Sequence, residues 1–457
     1  MTSVLILIFV LGYLTITLEH PLKLDKTVPA LLMASIMWAL LAIGFHQGWF
    51  TLIDAHETTF KVLKGVISEH AEEGFTNLLL HHLGKTAEIL VFLIGAMTIV
   101  EIIDLHRGFD VLKSWVKTKS KKKLLWIIAI LAFFLSAVID NLTATIVLIT
   151  LLRKLVKRRE DRLWFAGMIV IAANAGGAWS PIGDVTTTML WIGKRVSADH
   201  LIERLFLPSL VSMVVPIFLA TLLPAFKGNL KIDVNDDSKD KRSLLSSRTM
   251  LFLGLAMIVS VPVFKTITHL PPYLGMMLAL GVVWLVSEYI HPEEDFDDER
   301  KAQYSAHKAL SRIEMSSILF FLGILMAVAA LETLVYGSIN GVEMGTLRYV
   351  AELLSQAIPN QDIVISLLGV LSAVIDNVPL VAASMGMYNA PIDASLWHLI
   401  AYAAGTGGSM LIIGSAAGVA AMGMEKIDFI WYMKKITWLA VVGYVLGYFL
   451  LLFMESL

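Results

Sequence analysis

One phrase occurs twice in this 457-residue chain, and each copy sets an aspartate and an asparagine inside an apolar run. Ala137-Val138-Ile139-Asp140-Asn141 returns as Ala373-Val374-Ile375-Asp376-Asn377, with Ser136 and Ser372 matched just before. A carboxylate in hydrocarbon is expensive and marks a working position. Two at corresponding places indicate a duplicated membrane protein with its site at the repeat interface. Composition agrees: 16% of residues are charged and 57% hydrophobic, against about 25% charged in a soluble domain. The mean hydropathy is +0.74. A net charge of −2 gives no reason to expect a nucleic-acid partner, and the lack of cysteine excludes disulfides and thiolate chemistry. No cofactor is expected. The apolar run from Ser3 to Leu18 has no basic segment before it and reads as a retained span.

The sequence predicts an all-α polytopic membrane protein. Spans fall at about 3–18, 28–46, 86–104, 163–193, 203–225, 249–266, 272–290, 316–336, 396–422 and 429–453. The stretches 122–157 and 361–388 carry the Asp-Asn pairs near their middles and read as helical hairpins. Basic residues crowd both ends of the first hairpin, including Lys121, Lys122 and Lys123 before it and Arg153, Arg158, Arg159 and Arg162 after it. Those ends therefore face the cytoplasm. Continuing from there puts both termini and the second hairpin's ends outside. The expected plan is two inverted-topology repeats, 1–226 and 248–457, joined by a polar cytoplasmic linker at 227–247. Each repeat has five transmembrane spans, one re-entrant helical hairpin and one discontinuous helix, and the hairpin tips approach from opposite faces. Asp104–Lys119 and Glu343–Ile358 read as interfacial segments, 47–85 as a long outer segment with ordinary exposed histidines, and 292–312 as a solvated loop.

A second matched feature follows each tip. Asn174-Ala175-Gly176-Gly177 leads into Ser180-Pro181-Ile182-Gly183-Asp184-Val185-Thr186-Thr187, and Thr406-Gly407-Gly408-Ser409 leads into Gly414-Ser415. Gly-Gly and Pro weaken a helix, and in a membrane the freed backbone groups need partners. The segments 163–193 and 396–422 are therefore expected to be discontinuous helices that line a site. Close packing of small residues is the alternative use of the glycines.

Hard cations take oxygen ligands. The matched segments offer Asp140, Asn141, Thr143, Asn174, Ser180, Asp184, Thr186, Thr187, Ser372, Asp376, Asn377, Ser409 and Ser415. A buried carboxylate can hold a proton or a cation in turn, which is the minimum requirement for antiport. The plain structural alternative is that each Asp-Asn caps its hairpin's second arm. Glu88, near the start of a span beside a hairpin, is a secondary candidate; Glu101, Asp104 and Glu332 sit near span ends and are expected to snorkel.

At the tip Ile139-Asp140-Asn141-Leu142-Thr143-Ala144-Thr145 and the break Pro181-Ile182-Gly183-Asp184 the chain resembles the NhaD-type sodium/proton antiporters. These belong to an ion-transporter superfamily with arsenite pumps and dicarboxylate carriers. The resemblance covers roughly residues 86–453. It implies Na⁺ and Li⁺ efflux in exchange for H⁺ across a bacterial inner membrane, by a homodimer with an elevator-like cycle. It places Na⁺/Li⁺ ligation on Asp140, Asn141, Asp376 and Asn377, with Asn174, Asp184, Thr186 and Thr187 beside them. The second copy departs from the first in having Ser415 where the first has Asp184, and Val378-Pro379 for Leu142-Thr143.

Two rivals are weaker. A dicarboxylate or oxyanion carrier on the same scaffold would find its anion repelled by acidic tips. An intramembrane aspartyl protease would need Gly where Pro181 stands, and would leave the duplication unexplained.

Overall fold

The computed structural model describes the chain except residues 1, 55–57, 63–68, 114–115, 117, 231–244, 291–303, 340, 359, 374–376 and 457. The polar linker, most of the 292–312 loop and Asp376 thus lie outside the described residues. The principal helices are α1 Thr2–Thr17, α2 Thr27–His46, α3 Glu69–Leu105, α4 Lys121–Ile139, α5 Asn141–Leu155, α6 Arg159–Ala178, α7 Val185–Ile192, α8 Ala198–Leu222 and α9 Ser247–Thr268. They continue with α10 Pro272–Tyr289, α11 Met315–Thr333, α12 Thr346–Ala357, α13 Gln361–Ser372, α14 Asn377–Met387, α15 Ser395–Gly407, α16 Ala416–Glu425, α17 Phe429–Lys435 and α18 Thr437–Glu455. Eight of these are long and apolar enough to cross a membrane. The chain divides into two compact units: Met1–Leu90 with Glu314–Ile365 and Val378–Pro391, and Val91–Ile313 with Ser366–Asn377 and Ile392–Leu457.

In the first unit α2 and α11 lie side by side. Gly323 permits this, since a Cβ there would stand 2.7 Å from the Ala30 carbonyl carbon. Trp38 Nε1 donates to the Met326 carbonyl at 2.8 Å, and Thr27 Oγ1 to the Ser316 carbonyl at 2.9 Å. Two short antiparallel hairpins, β1 (Thr51–Ile53) with β2 (Thr59–Lys61) and β3 (Val335–Ile339) with β4 (Val342–Gly345), accompany them.

Here the outer segment expected over 47–85 needs correcting. α3 starts at Glu69 and runs 37 residues, about 55 Å at 1.5 Å per residue. Glu, His and Lys are acceptable helix formers, so the helix continues past the apolar stretch that hydropathy detects. Glu88 consequently lies mid-helix and half-buried rather than near a helix start. His82 is buried, its ring 6.3 Å from that of Trp38, whereas His81 is exposed as expected. His56 and the side chain of His70 lie outside the described residues.

The second unit holds α4 to α7, both broken helices, the end of α13 and Asn377. α4 and α5 are separated by Asp140 alone, which has a φ of +71°. That value is unusual for a residue with a Cβ and persists only where surrounding contacts impose it. Asp140 is also the N-cap of α5, accepting from Thr143 N at 2.8 Å. α6 ends at Gly-Gly-Ala, and Pro181 denies the next turn an N–H donor. α7 restarts from Asp184, which caps it by accepting from Thr186 N at 2.8 Å. The second copy repeats the scheme: α15 ends at Gly407, and α16 restarts from Ser415, which accepts from Gly418 N at 3.2 Å.

The glycines have a packing reason as well as a breaking one. A Cβ on Gly176 would overlap the Phe133 carbonyl, and one on Gly407 would overlap the Gly369 carbonyl. Gly183 and Gly414 likewise meet the Ser136 and Ala373 carbonyls at 2.7 and 2.6 Å. Each broken helix is thus pressed onto the first arm of its own hairpin. Gly176→Val should leave little monodisperse protein in detergent extracts, since backbone cannot move aside as a side chain can. Gly281→Val, where nothing lies within 4 Å, should elute as wild type; equal elution of both variants would refute the packing account.

Candidate functional site

The second unit brings six of the thirteen predicted polar residues into one hydrogen-bonded group: Asn141, Asn174, Asp184, Thr186, Asn377 and Ser415. Asp184, only 2% exposed, is the hub. Its Oδ1 accepts from Thr186 N at 2.8 Å and Thr186 Oγ1 at 2.6 Å. Its Oδ2 accepts from Asn141 Nδ2 and, at 3.5 Å, from Asn377 Nδ2. The asparagines that open the second arms of both hairpins therefore converge on one carboxylate oxygen. Asn174, fully buried on α6, adds a second link. Its Oδ1 accepts from Asn141 Nδ2 at 3.0 Å, and its Nδ2 donates to Ser415 Oγ at 2.9 Å.

Asp140 stands differently. It is half-buried, and its described partners are those of its own helix start: Thr143 N at 2.8 Å and Thr143 Oγ1 at 2.9 Å. The capping role and an ion-binding role are compatible, because a carboxylate offers more acceptor positions than one cap uses.

The remaining hydroxyls hold the scaffold. Ser180 Oγ donates to the Ala137 carbonyl at 2.6 Å, tying the break to the hairpin tip. Thr187 Oγ1 donates to the Ser180 carbonyl at 2.7 Å and Thr188 Oγ1 to the Pro181 carbonyl at 3.0 Å, satisfying backbone groups that the break releases. Ser136 and Ser372 play matching parts, donating to the Ala173 and Ala404 carbonyls at 2.6 and 3.0 Å. Ser409 donates to the Thr406 carbonyl at 2.7 Å, and its own carbonyl accepts from Tyr432. Trp179, stacked on Phe133 at 5.8 Å and edge-on to Phe206 at 5.0 Å, braces the break from behind. Glu101 and Asp104, expected to snorkel, both pair with Arg312, at 3.1 and 2.7 Å.

The citrate transporter family model matches residues 6–398. Sodium/proton antiporter 1 of Arabidopsis thaliana is 44% identical over 451 residues, covering 96% of this chain and 70% of that protein. The Na⁺/H⁺ antiporter NhaD of Alkalimonas amylolytica is 32% identical over 468 residues, covering 97% of this chain and 88% of the relative. The chain belongs to the NhaD-type sodium/proton antiporters, within the citrate transporter family. As an NhaD-type protein it is a multi-pass membrane transporter and not an enzyme. The crystal structure of the YdaH transporter of Alcanivorax borkumensis superposes with a TM-score of 0.59 at 14% identity. It covers 93% of this chain and 97% of the other, a likeness of fold alone.

One cluster in this NhaD-type chain was not anticipated from sequence. Glu425, at the end of α16, is buried between Arg153 and Arg162. Its signal was an acid at the end of a broken helix, amid loops that otherwise carry excess positive charge.

Proposed function

We propose that this chain exchanges Na⁺ or Li⁺ for H⁺, with Asp140 binding cation and proton in turn. The observation that carries this reading is the contrast between Asp140, half-buried and bonded to its own helix start, and Asp184, buried with its oxygens taken up by amides and the Thr186 hydroxyl. Relatives named sodium/proton antiporters support the choice of ions. A hard cation at Asp140 would draw on its carboxylate, on Thr143 Oγ1 and on backbone carbonyls of the hairpin tip. Asp184 fixes Asn141 and Asn377 and lends negative potential without itself being open. Asp376 takes the corresponding role at the second tip, and the acceptor Ser415 makes the two half-sites unequal.

In this reading the two sequence halves are inverted repeats, each with a re-entrant hairpin entering from its own face. The unit bearing both asparagines is the transport part of an elevator-like cycle, and the other is the scaffold of a homodimer. The end carrying Arg153, Arg158, Arg159 and Arg162 faces the cytoplasm of a bacterial inner membrane, as the excess of positive charge favours.

The test is the collapse of a pH gradient in everted membrane vesicles on adding Na⁺ or Li⁺. No cation-driven proton movement would end the reading. Because proton and cation compete for one carboxylate, the half-saturating Na⁺ concentration should rise about tenfold per pH unit on the acid limb. The maximal rate should be unchanged; a rate that falls at constant half-saturation would indicate separate sites. The family description favours one alternative, a citrate carrier on the same scaffold. Asp140 and Asp184 oppose it, since unneutralised carboxylates repel a polyanion. Saturable citrate uptake into right-side-out vesicles would establish it.

A further inference from the structure

α5 and α16 are joined at both ends. At the site, Asn141 opens α5 and Ser415 caps α16, and both hydrogen-bond to Asn174, at 3.0 and 2.9 Å. At the far end, Arg153 Nε meets Glu425 Oε1 at 2.7 Å, and its guanidinium also donates to the Met424 carbonyl. Arg162 Nε takes the other oxygen, Oε2, at 3.0 Å. Arg159 completes the end of α16, donating to the carbonyls of Glu425 at 3.2 Å and Lys426 at 2.8 Å. From Asn141 to Arg153 is about 18 Å of helix and from Ser415 to Glu425 about 15 Å. The arginine side chain spans the difference.

Capping accounts for the arginines but not for the glutamate. Cations belong at a helix C-terminus and an anion there opposes the macrodipole. The Glu425 side chain is 1% exposed, so its carboxylate is stripped of water, and an apolar residue could pack there at no such cost. An ion pair differs from an apolar contact in being directional: it fixes how far one helix slides along the other.

We propose that Glu425 is a positioning residue of the exchange site. Clasped by Arg153 and Arg162, it sets the axial register of α16 on α5, and so the placing of Ser415 and Asn141 about Asn174. The proposal rests on the exchange reading above, with the cation at the start of α5. Glu425 lies about 15 Å along α16 from Ser415, at the far end from the site, so it acts on the ion only through the two helices.

The experiment measures half-saturating Na⁺ and maximal rate of proton release in everted vesicles, with the protein in the membrane quantified for each variant. Glu425→Gln should raise half-saturating Na⁺ about fivefold to tenfold, within the reach of residues remote from a ligand, and hold the maximal rate per molecule within about twofold. Glu425→Asp, which keeps the charge, should recover most of the loss. Glu425→Gln combined with Arg162→Ala should be no worse than either alone, as expected of one unit. Unchanged half-saturation in Glu425→Gln, or a fall in protein amount or maximal rate alone, overturns the proposal. If Glu425→Gln fails to reach the membrane, Arg162→Lys is read instead: it keeps the charge without the planar fork, and unchanged half-saturation there overturns the proposal equally. Wild-type vesicles that ignore Na⁺ would remove the exchange reading and the clamp with it. A wild-type response with an unaltered Glu425→Gln removes the clamp alone.

Discussion

Asp140→Asn is expected to lower Na⁺-driven proton release by roughly a hundredfold or more, equivalent to about 2.7 kcal/mol at 1.36 kcal/mol per decade. The substitution is nearly isosteric. Asn Oδ1 can still accept from Thr143 N, the bond that now starts α5 at 2.8 Å, and Asn is as good an N-cap as Asp. The fold should therefore survive with its melting temperature close to wild type. What disappears is the charge that holds the cation and the group that carries the proton. Near-normal exchange by a correctly inserted Asp140→Asn protein would remove this residue from the site. The matched change Asp376→Asn is expected to behave alike, and a variant that still exchanges would restrict ion handling to the first tip.

Asp184→Asn should lose exchange to a similar degree and lose stability as well. Asp184 Oδ2 receives amide donors from Asn141 and Asn377. If the new Oδ1 keeps Thr186 N, the new Nδ2 faces two donors and satisfies neither. Each buried polar group left unpaired costs about 1–3 kcal/mol, so a detergent-solubilised sample should melt several degrees lower than wild type. Asp184→Ser copies the residue that occupies the equivalent place in the second copy, Ser415, and can still cap α7. It should melt higher than Asp184→Asn while exchanging no better. If Asp184→Asn melts like wild type, the hub described here does not bind the two tips.

These two aspartates also mark what could be read in advance. The duplicated Asp-Asn phrase and the two Gly-Gly breaks were visible in the sequence because membranes make charges and helix breakers costly, so each one stands out. They pointed to the interrupted helices at 163–193 and 396–422, and the structure links Asn141, Asn174, Asp184, Thr186, Asn377 and Ser415 by hydrogen bonds while Asp140 caps α5. The sequence offered Ser372, Ser409, Ser180 and Thr187 as oxygen donors but not the backbone carbonyls to which their hydroxyls donate. A serine's direction depends on which carbonyl a neighbouring helix leaves unpaired, and hydropathy carries no record of that. The same limit hid the length of α3, where polar helix formers extend an apolar span, and the burial of His82 against Trp38.

By itself, then, the sequence determined that this is a helical membrane protein with a duplicated acidic tip, because periodicity and burial cost are local properties of the chain. Only the tertiary structure decided that the tip asparagines share one carboxylate, that Asp184 is buried among donors while Asp140 bonds its own helix start, and that Glu425 closes the far end of α5 and α16. Those partners lie between 43 and 272 residues apart in sequence. Their pairing depends on how distant helices pack together, which no local pattern encodes.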